Sequence, residues 1–270
     1  MLDLEGEVLQ AYWEDALSWI RRAADGAPRE RLLDLGAGTG TGALGLARHF
    51  PGAEVVAIDI APESLRRLSV KALELGLDGR VAGFEADLDA GWPDLGPFDL
   101  TMASMSLHHM ADPSRVLRDV LVATRPGGLI AVAEFAEPLR FLPEDLGIGE
   151  PGFEDRFIEA LTPAQLEEMP TLGSAWAPRL SDAGWTVLDE LEFRIDQNPP
   201  RSPSANRFAR AWFTRLAHAK ADRLTPEDRA TLEILLADDG KQSLLHRKDL
   251  RIRGVRTITL ASRSHGHPAV

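Results

Sequence analysis

A short apolar run that breaks into glycines near residue 32 constrains the fold more than any other feature of this chain. Residues 32–42 read Leu-Leu-Asp-Leu-Gly-Ala-Gly-Thr-Gly-Thr-Gly, and helical spacing of apolar side chains resumes at Ala43, Leu44 and Ala47. Glycine permits positive φ and a close approach of ligand to backbone, and a helix N-terminus offers free N–H groups. The pattern therefore predicts a strand, a tight loop and a helix that bind a nucleotide-like ligand.

The glycines allow two registers for this loop. Residues 36–40 give G-x-G-x-G directly after the strand, whereas residues 40–45 spell G-x-G-x-x-G four residues later. The dinucleotide-binding pattern opens immediately after its strand, and the carboxylate of Asp34 would repel a dinucleotide phosphate. The first register is favoured, and an NAD-dependent oxidoreductase is kept as the alternative function.

Strand-like apolar runs alternate with helical patterns from residue 31 to 134. The predicted strands are 31–35, 54–59, 81–85, 98–103 and 129–134, and the predicted helices are 41–50, 62–75 and 113–123. Pro62 and Pro113 occupy first-turn positions, and Asp112 is placed as an N-cap. This order predicts an α/β fold with a doubly wound, mostly parallel sheet. Residues 86–97 leave room only for a short helix or a loop.

Five segments, in this order along the chain, resemble the motifs of class I S-adenosylmethionine-dependent methyltransferases. They are Leu32–Gly40, Val55–Asp59, Glu85–Leu88, Phe98–Ser104 followed by Leu107–His109, and Arg125–Gly128. The resemblance implies a Rossmann-like fold, S-adenosyl-L-methionine as cofactor and S-adenosyl-L-homocysteine as product. It also implies methyl transfer to an oxygen, nitrogen or carbon nucleophile of a small metabolite.

The resemblance further implies which residues contact the cofactor. Asp59 would accept hydrogen bonds from the ribose hydroxyls, Asp87 from the adenine amine, and Asp34 from the methionyl ammonium, directly or through water. Asp89 competes with Asp87 for the adenine role. The full predicted set is Asp34, Gly36, Ala37, Gly38, Gly40, Asp59, Ile60, Asp87, Leu88 and Ser104.

The loop after the fourth strand supplies the candidates for catalysis. His108 and His109 would face the methyl group, and a histidine pKa of about 6.5 suits a base that accepts a proton from an O–H or N–H nucleophile. A role in shaping the loop is the alternative. Glu134, at the end of the fifth strand, is a second candidate base. The loop has no acid before Asp112, so we expect no divalent metal.

The regular pattern loosens after Glu134, where we expect helical cap insertions that bind the acceptor. The predicted elements are a short helix beginning at Thr162 with capping-box spacing, a helix at 174–183, a strand at 185–193, helices at 204–220 and 226–238, and a last strand at 255–261. The acceptor-pocket candidates are Tyr12, Arg140, Phe141 and Trp176, with Trp212 as a further aromatic. Helical spacing of Phe208 and Trp212 is also typical of core residues.

The predicted organisation has four parts. They are an N-terminal helix within 1–28, a cofactor-binding core at 29–135, cap and substrate elements including strand 185–193 at 136–254, and a last strand with a tail at 255–270. The first helix is predicted over residues 7–24, ended by Gly26 and Pro28, and Tyr12 would reach the ligand from it.

The composition of the chain limits the classes of molecule that it is expected to bind. The net charge of −12 argues against a basic surface for nucleic acid, so a small-molecule acceptor is expected. The absence of cysteine excludes disulfides and thiolate metal sites. There is no basic and apolar leader and no long apolar run, which favours a cytoplasmic protein that binds no membrane. His265 and His267 resemble a metal-ligand pair in spacing only. The oligomeric state stays open, with a homodimer as one option, and a non-catalytic cofactor-binding protein is a further alternative.

Overall fold

The computed structural model describes residues 1–218 and 220–264. The strands are β1 (Arg31–Leu35), β2 (Glu54–Asp59), β3 (Val81–Glu85), β4 (Phe98–Ser104), β5 (Thr124–Arg140), β6 (Thr186–Gln197) and β7 (Ile252–Ser262). The helices are α1 (Leu2–Val8), α2 (Gln10–Ala23), α3 (Thr41–His49), α4 (Pro62–Glu74), α5 (Pro113–Val122), α6 (Phe153–Glu168), α7 (Trp176–Asp182), α8 (Ala205–Ala217) and α9 (Pro226–Leu236). His265 and His267 lie outside the described residues.

Within the described residues the strands form one sheet of order β3-β2-β1-β4-β5-β7-β6. The pairs β1–β2, β2–β3, β1–β4 and β4–β5 are parallel. The chain leaves β1 outward to β2 and β3 and then returns to β4 on the other side of β1. Strand order therefore reverses between β1 and β4, and open α/β sheets bind ligands at the carboxyl ends of strands at such a point. The predicted α/β, Rossmann-like, mostly parallel sheet is confirmed.

The chain divides into two compact units. Unit A comprises Ala11–Ala136, Gly173–Phe193 and the chain from Arg256, and unit B comprises Met1–Gln10, Glu137–Leu172 and Arg194–Val255. The core of unit A is aliphatic along β1, β4 and β5 and includes Trp176 and Trp185. The four-part division predicted from the sequence stays a prediction.

Unit B has an aromatic core. Its rings belong to Phe141, Phe153, Phe157, Phe208, Trp212 and Phe213, and neighbouring centroids lie 4.9–6.3 Å apart. Clusters of this size supply much of the apolar burial of a small unit. Phe208 and Trp212 lie in this core, as their helical spacing allows, although Trp212 was also a candidate for the acceptor pocket.

The N-terminal helix differs from the prediction of one helix over 7–24. It is two helices, α1 and α2, separated at Leu9, whose ψ of 22° is not helical. In a straight helix the side chains of two neighbouring residues such as Val8 and Leu9 would point about 100° apart. The bend allows Val8 and Leu9 to be buried together.

Two elements beyond β4 were predicted too short. Helix α6 runs from Phe153 through Pro163, and the Thr162 hydroxyl donates to the Ile158 carbonyl instead of capping a new helix. Buried side chains at i, i+4 and i+8 from Phe153 keep that helix continuous. Strand β5 includes residues 125–128, which precede the predicted strand 129–134, because Gly127 donates to the carbonyl of Arg263 and Arg263 donates to that of Gly128.

Other local predictions are confirmed. Asp112 caps α5 through its side chain, Pro62 lies in the first turn of α4, and residues 86–97 form turns without a helix. None of the helices in the described ranges is both long and apolar enough to cross a membrane.

Candidate functional site

The glycine loop joins β1 to α3 at the point where the strand order reverses. Gly36, Gly38 and Gly40 have φ values of 69°, 53° and 88°, in the region that favours glycine. A Cβ on Gly36 would overlap the Cβ of Ser106, and a Cβ on Gly40 would overlap the side chain of Leu68. The loop therefore requires glycine at these positions for backbone conformation and for space.

The later glycine register does not form a loop. Gly42 and Gly45 lie inside α3, and Gly40 is its N-cap. A Cβ on Gly42 would lie 2.8 Å from the Asp34 carboxylate, and one on Gly45 would overlap Leu17. These glycines serve close packing of α3, so residues 40–45 lack the strand-end position of a dinucleotide-binding loop.

Asp59 ends β2 and faces the glycine loop. Its Oδ2 accepts a 2.7 Å hydrogen bond from the N–H of Gly38, and its Oδ1 accepts one of 2.8 Å from the N–H of Ala61. The side chain is half-buried, and each carboxylate oxygen keeps a lone pair for a ligand hydroxyl. Ala37 is held by its N–H to the carbonyl of Ile58 at 2.9 Å.

Buried polar atoms without a partner surround the same loop. Among the described residues, Asp34 Oδ2, Thr39 Oγ1 and Ser104 Oγ have no hydrogen-bond partner. Asp34 and Ser104 end adjacent strands, because β1 pairs with β4. Burial raises the pKa of the Asp34 carboxyl to about 7, opposed by a hydrogen bond from the backbone of Ala43. A buried polar atom without a hydrogen-bond partner costs free energy. A polar ligand that forms a hydrogen bond with such an atom removes this cost.

The adenine side of the predicted site lies after β3. Asp87 is exposed, and its Oδ1 accepts from the N–H of Asp89 at 2.9 Å. Asp89 itself accepts from the N–H of Ala111 at 2.9 Å and thereby ties two loops together. Leu88 is buried in the core of unit A, and the side chain of Ile60 is 63% exposed at the end of β2. An exposed isoleucine at a strand end suits contact with a flat apolar ring.

His108 and Glu134 form a buried pair. His108 Nδ1 lies 2.5 Å from Glu134 Oε2, and Glu134 Oε1 accepts from the N–H of Leu107 at 3.1 Å. Both side chains are buried, whereas His109 is exposed and its ring lies 4.2 Å from that of His108, centroid to centroid. A carboxylate on Nδ1 favours the tautomer with Nδ1–H, which leaves Nε2 as the basic nitrogen.

Sequence reasoning missed a strained residue beside this pair. Met105 has a φ of 55°, although it is not glycine, and its N–H donates to the carbonyl of Ala133. Ser106 next to it donates its hydroxyl to the carbonyl of Leu35 at 2.7 Å. Backbone strain of this kind clusters at functional sites. Nothing in the side chain of Met105 signals it in advance.

The predicted acceptor residues are divided between the two units. Tyr12 and Trp176 belong to unit A, and Arg140 and Phe141 belong to unit B. Trp176 packs in the core beside Leu180, and Phe141 is fully buried in the aromatic cluster. Phe141 and Trp176 are therefore core side chains, because both are buried and leave no surface for a ligand to contact.

Tyr12 is accompanied by a buried arginine that the sequence analysis did not single out. The Arg256 guanidinium lies 4.9 Å from the ring centroid of Tyr12 and 5.6 Å from that of Phe135, and Arg256 is 1% exposed. The ring of Phe135 lies 5.7 Å from that of His108. The sequence did offer a signal for this residue, because Arg256 is a charged residue within the apolar run of the last strand.

The comparisons with known proteins converge on one class. A family model described as a methyltransferase domain matches residues 33–130. The chain is 41% identical over 127 residues to demethylmenaquinone methyltransferase of Thermus thermophilus, which covers 45% of this chain and 56% of that protein. It is 32% identical over 134 residues to ubiquinone biosynthesis O-methyltransferase of Aeromonas salmonicida, which covers 48% of this chain and 55% of that one.

A solved structure extends the likeness beyond the matched segment. Phosphoethanolamine N-methyltransferase 2 of Haemonchus contortus, in complex with S-adenosyl-L-methionine, aligns with a TM-score of 0.52 at 16% identity, over 93% of this chain and 53% of that one. At this identity the likeness concerns the fold. The chain spans about half the length of the curated relatives it matches.

Proposed function

We propose that the protein is a class I S-adenosylmethionine-dependent methyltransferase that methylates a small metabolite, on the premise of the methyltransferase domain matched over residues 33–130. The nucleophile would be an oxygen, nitrogen or carbon atom of the acceptor. Relatives named for demethylmenaquinone and for ubiquinone biosynthesis support a small-molecule acceptor. No contact with nucleic acid and a cytoplasmic location are part of the proposal.

The observation that carries the proposal is the carboxylate of Asp59 held against the glycine loop by Gly38 and Ala61. The bonds to two backbone N–H groups fix its direction at the reversal of strand order, where its free lone pairs would take the ribose hydroxyls. The unpaired oxygen of Asp34 and the hydroxyls of Thr39 and Ser104 fit the ammonium and carboxylate of the methionyl part.

When bound, the cofactor supplies an electrophilic methyl group on a sulfonium. The residues of the chain would hold it in line with the acceptor, since much of the catalysis comes from positioning. Glu134 would orient His108, and His108 Nε2 would accept the proton that an O–H or N–H acceptor loses. The side chains of His108 and Glu134 are both buried, so water would be kept away from this pair.

A thermal-shift titration of the whole protein tests cofactor choice. S-adenosylhomocysteine is expected to raise the melting temperature in proportion to the logarithm of its concentration, whereas NAD is expected to leave it unchanged. Release of S-adenosylhomocysteine is then measured with quinol, phenol, amine and carboxylate acceptors. Stabilisation by NAD instead would overturn the proposal, and tight S-adenosylhomocysteine binding with no turnover on any class would favour a non-catalytic protein.

A further inference from the structure

Unit B contains a cavity whose lining is dominated by guanidinium groups. Its volume is about 270 Å³, and it is lined by Arg140, Arg194, Arg251 and Arg253 together with the acids Glu137 and Asp196. Three neighbouring strands contribute, because β7 lies between β5 and β6 in the sheet. Arg253 lies within β7, and Arg251 immediately precedes that strand and donates its backbone N–H to the carbonyl of Phe141 at 2.9 Å.

Two of these arginines are held by carboxylates outside the lining. Arg140 pairs with Asp155 of α6. Arg253 donates to the carbonyl of Leu142 at 3.0 Å and lies 3.5 Å from Glu154. Burial raises the pKa of Glu154 to about 7, against hydrogen bonds from two backbone N–H groups, so its charge is only partial near neutral pH. Arg140 is therefore paired with a carboxylate, whereas Glu154 offsets the charge of Arg253 only in part.

Of the four guanidinium groups, one has no carboxylate partner within ion-pair distance among the described residues, although the lining also contains the exposed carboxylate of Glu137. Arg251 forms two hydrogen bonds with Asp196, at 2.9 and 2.6 Å. Arg194, two residues before Asp196 on β6, is exposed, and its guanidinium makes neither a hydrogen bond nor an ion pair with any described residue. Like charges on neighbouring strands repel. A cluster that keeps an unpaired arginine beside three others is stabilised by an anion.

We propose that this cavity is a binding site for a small oxyanion, carried by a phosphate, diphosphate or dicarboxylate group. Guanidinium groups match planar and tetrahedral oxyanions through paired N–H donors. The volume lies just below the usual range of about 300–1,000 Å³ for small-molecule pockets, which suits one anionic group. In a chain of net charge −12 such a site is local and does not arise from general attraction.

The site lies wholly within unit B, and its test needs neither cofactor nor turnover. Calorimetric titration of the whole protein in low-chloride buffer uses sodium pyrophosphate and, separately, sodium citrate, so the two arms distinguish phosphate from carboxylate chemistry. Saturable binding at one site per chain is expected for at least one probe. Absence of saturable binding for both probes overturns the proposal.

Variants locate the bound probe. Arg194→Gln is expected to weaken binding at least tenfold, and Arg194→Lys is expected to weaken it less because the charge is kept without the paired donors. Arg215→Gln, an exposed arginine of α8 outside the cavity lining, is the matched control and is expected to stay within twofold. Circular dichroism and melting temperature check that each variant folds. Equal weakening by Arg194→Gln and Arg215→Gln overturns the proposal, because it would show diffuse attraction.

Discussion

Two aspartates that end neighbouring strands differ in their surroundings, and the difference separates their roles. Asp59 is half-buried and fixed by two backbone N–H groups. Asp34 is fully enclosed, and burial raises the pKa of its carboxyl to about 7. The sequence predicts both as ligand contacts, but only the packing shows that Asp34 is poised to change protonation near neutral pH.

The raised pKa of Asp34 makes stability depend on pH. Between the unfolded value of 3.8 and about 7, the folded state binds more protons than the unfolded state. The free energy of unfolding therefore falls as pH rises through this window. Asp34→Asn removes this term, so the variant should gain about 2 kcal/mol relative to wild type between pH 5 and pH 8.

Urea unfolding without cofactor at the two pH values measures that gain. Asp78→Asn, at an exposed position, is the control and should show no such trend. A constant difference between Asp34→Asn and wild type at both pH values would contradict the assignment.

The buried pair of His108 and Glu134 gives a second prediction at this scale. His108→Gln should lower kcat about 10²- to 10⁴-fold on an O–H or N–H acceptor, because the base is lost. Glu134→Gln should lower kcat less, since it keeps the acceptor for the N–H of Leu107. Affinity for S-adenosylhomocysteine should stay unchanged in both.

Steady-state kinetics with a matched His109→Gln variant checks the pair. The exposed position of His109 predicts a turnover close to wild type for that variant. A kcat of His108→Gln within threefold of wild type would assign the pair to loop structure alone.

At the scale of elements, the strand, loop and helix at 31–49 were predictable because local rules and tertiary structure agree there. Glycine at positive φ, apolar runs and proline at helix starts all act within a few residues. The cap was less predictable, because α6 continues past Pro163 through the packing of its aromatic face. Phe141 and Trp176 were assigned to a pocket for the same reason: the sequence shows that an aromatic residue is large and apolar, but only packing decides whether it is buried in a core.

The glycine loop offers the sharpest test of an element. Gly36→Ala places a side chain at a φ of 69° and against Ser106, so it should cost at least about 1 kcal/mol of stability and weaken cofactor binding. Gly52→Ala, in a surface turn with open space around the Cβ position, should change stability by less than about 0.5 kcal/mol. Chemical denaturation of both variants measures the contrast. Equal stability of the two would show that the loop tolerates a side chain.

At the scale of the whole molecule, the matched segment 33–130 and the groups that would bind the cofactor all lie in unit A. Unit B carries the arginine cavity and none of the predicted cofactor residues. The assignment of cofactor binding to a core and of acceptor binding to a cap stays a prediction. The sequence could not predict the cavity, because its arginines are far apart in sequence and meet through β5, β6 and β7.

Calorimetric titration of the whole protein with S-adenosylhomocysteine tests the central claim most directly. Wild type should bind one equivalent and should not bind NAD, and Asp59→Asn should lose roughly 1.5–3 kcal/mol of binding free energy because a charged acceptor of two hydroxyls is removed. Arg140→Ala in unit B should keep its affinity within about threefold, or roughly 0.7 kcal/mol. An unchanged affinity in Asp59→Asn, or NAD binding as tight as that of S-adenosylhomocysteine, would contradict the account.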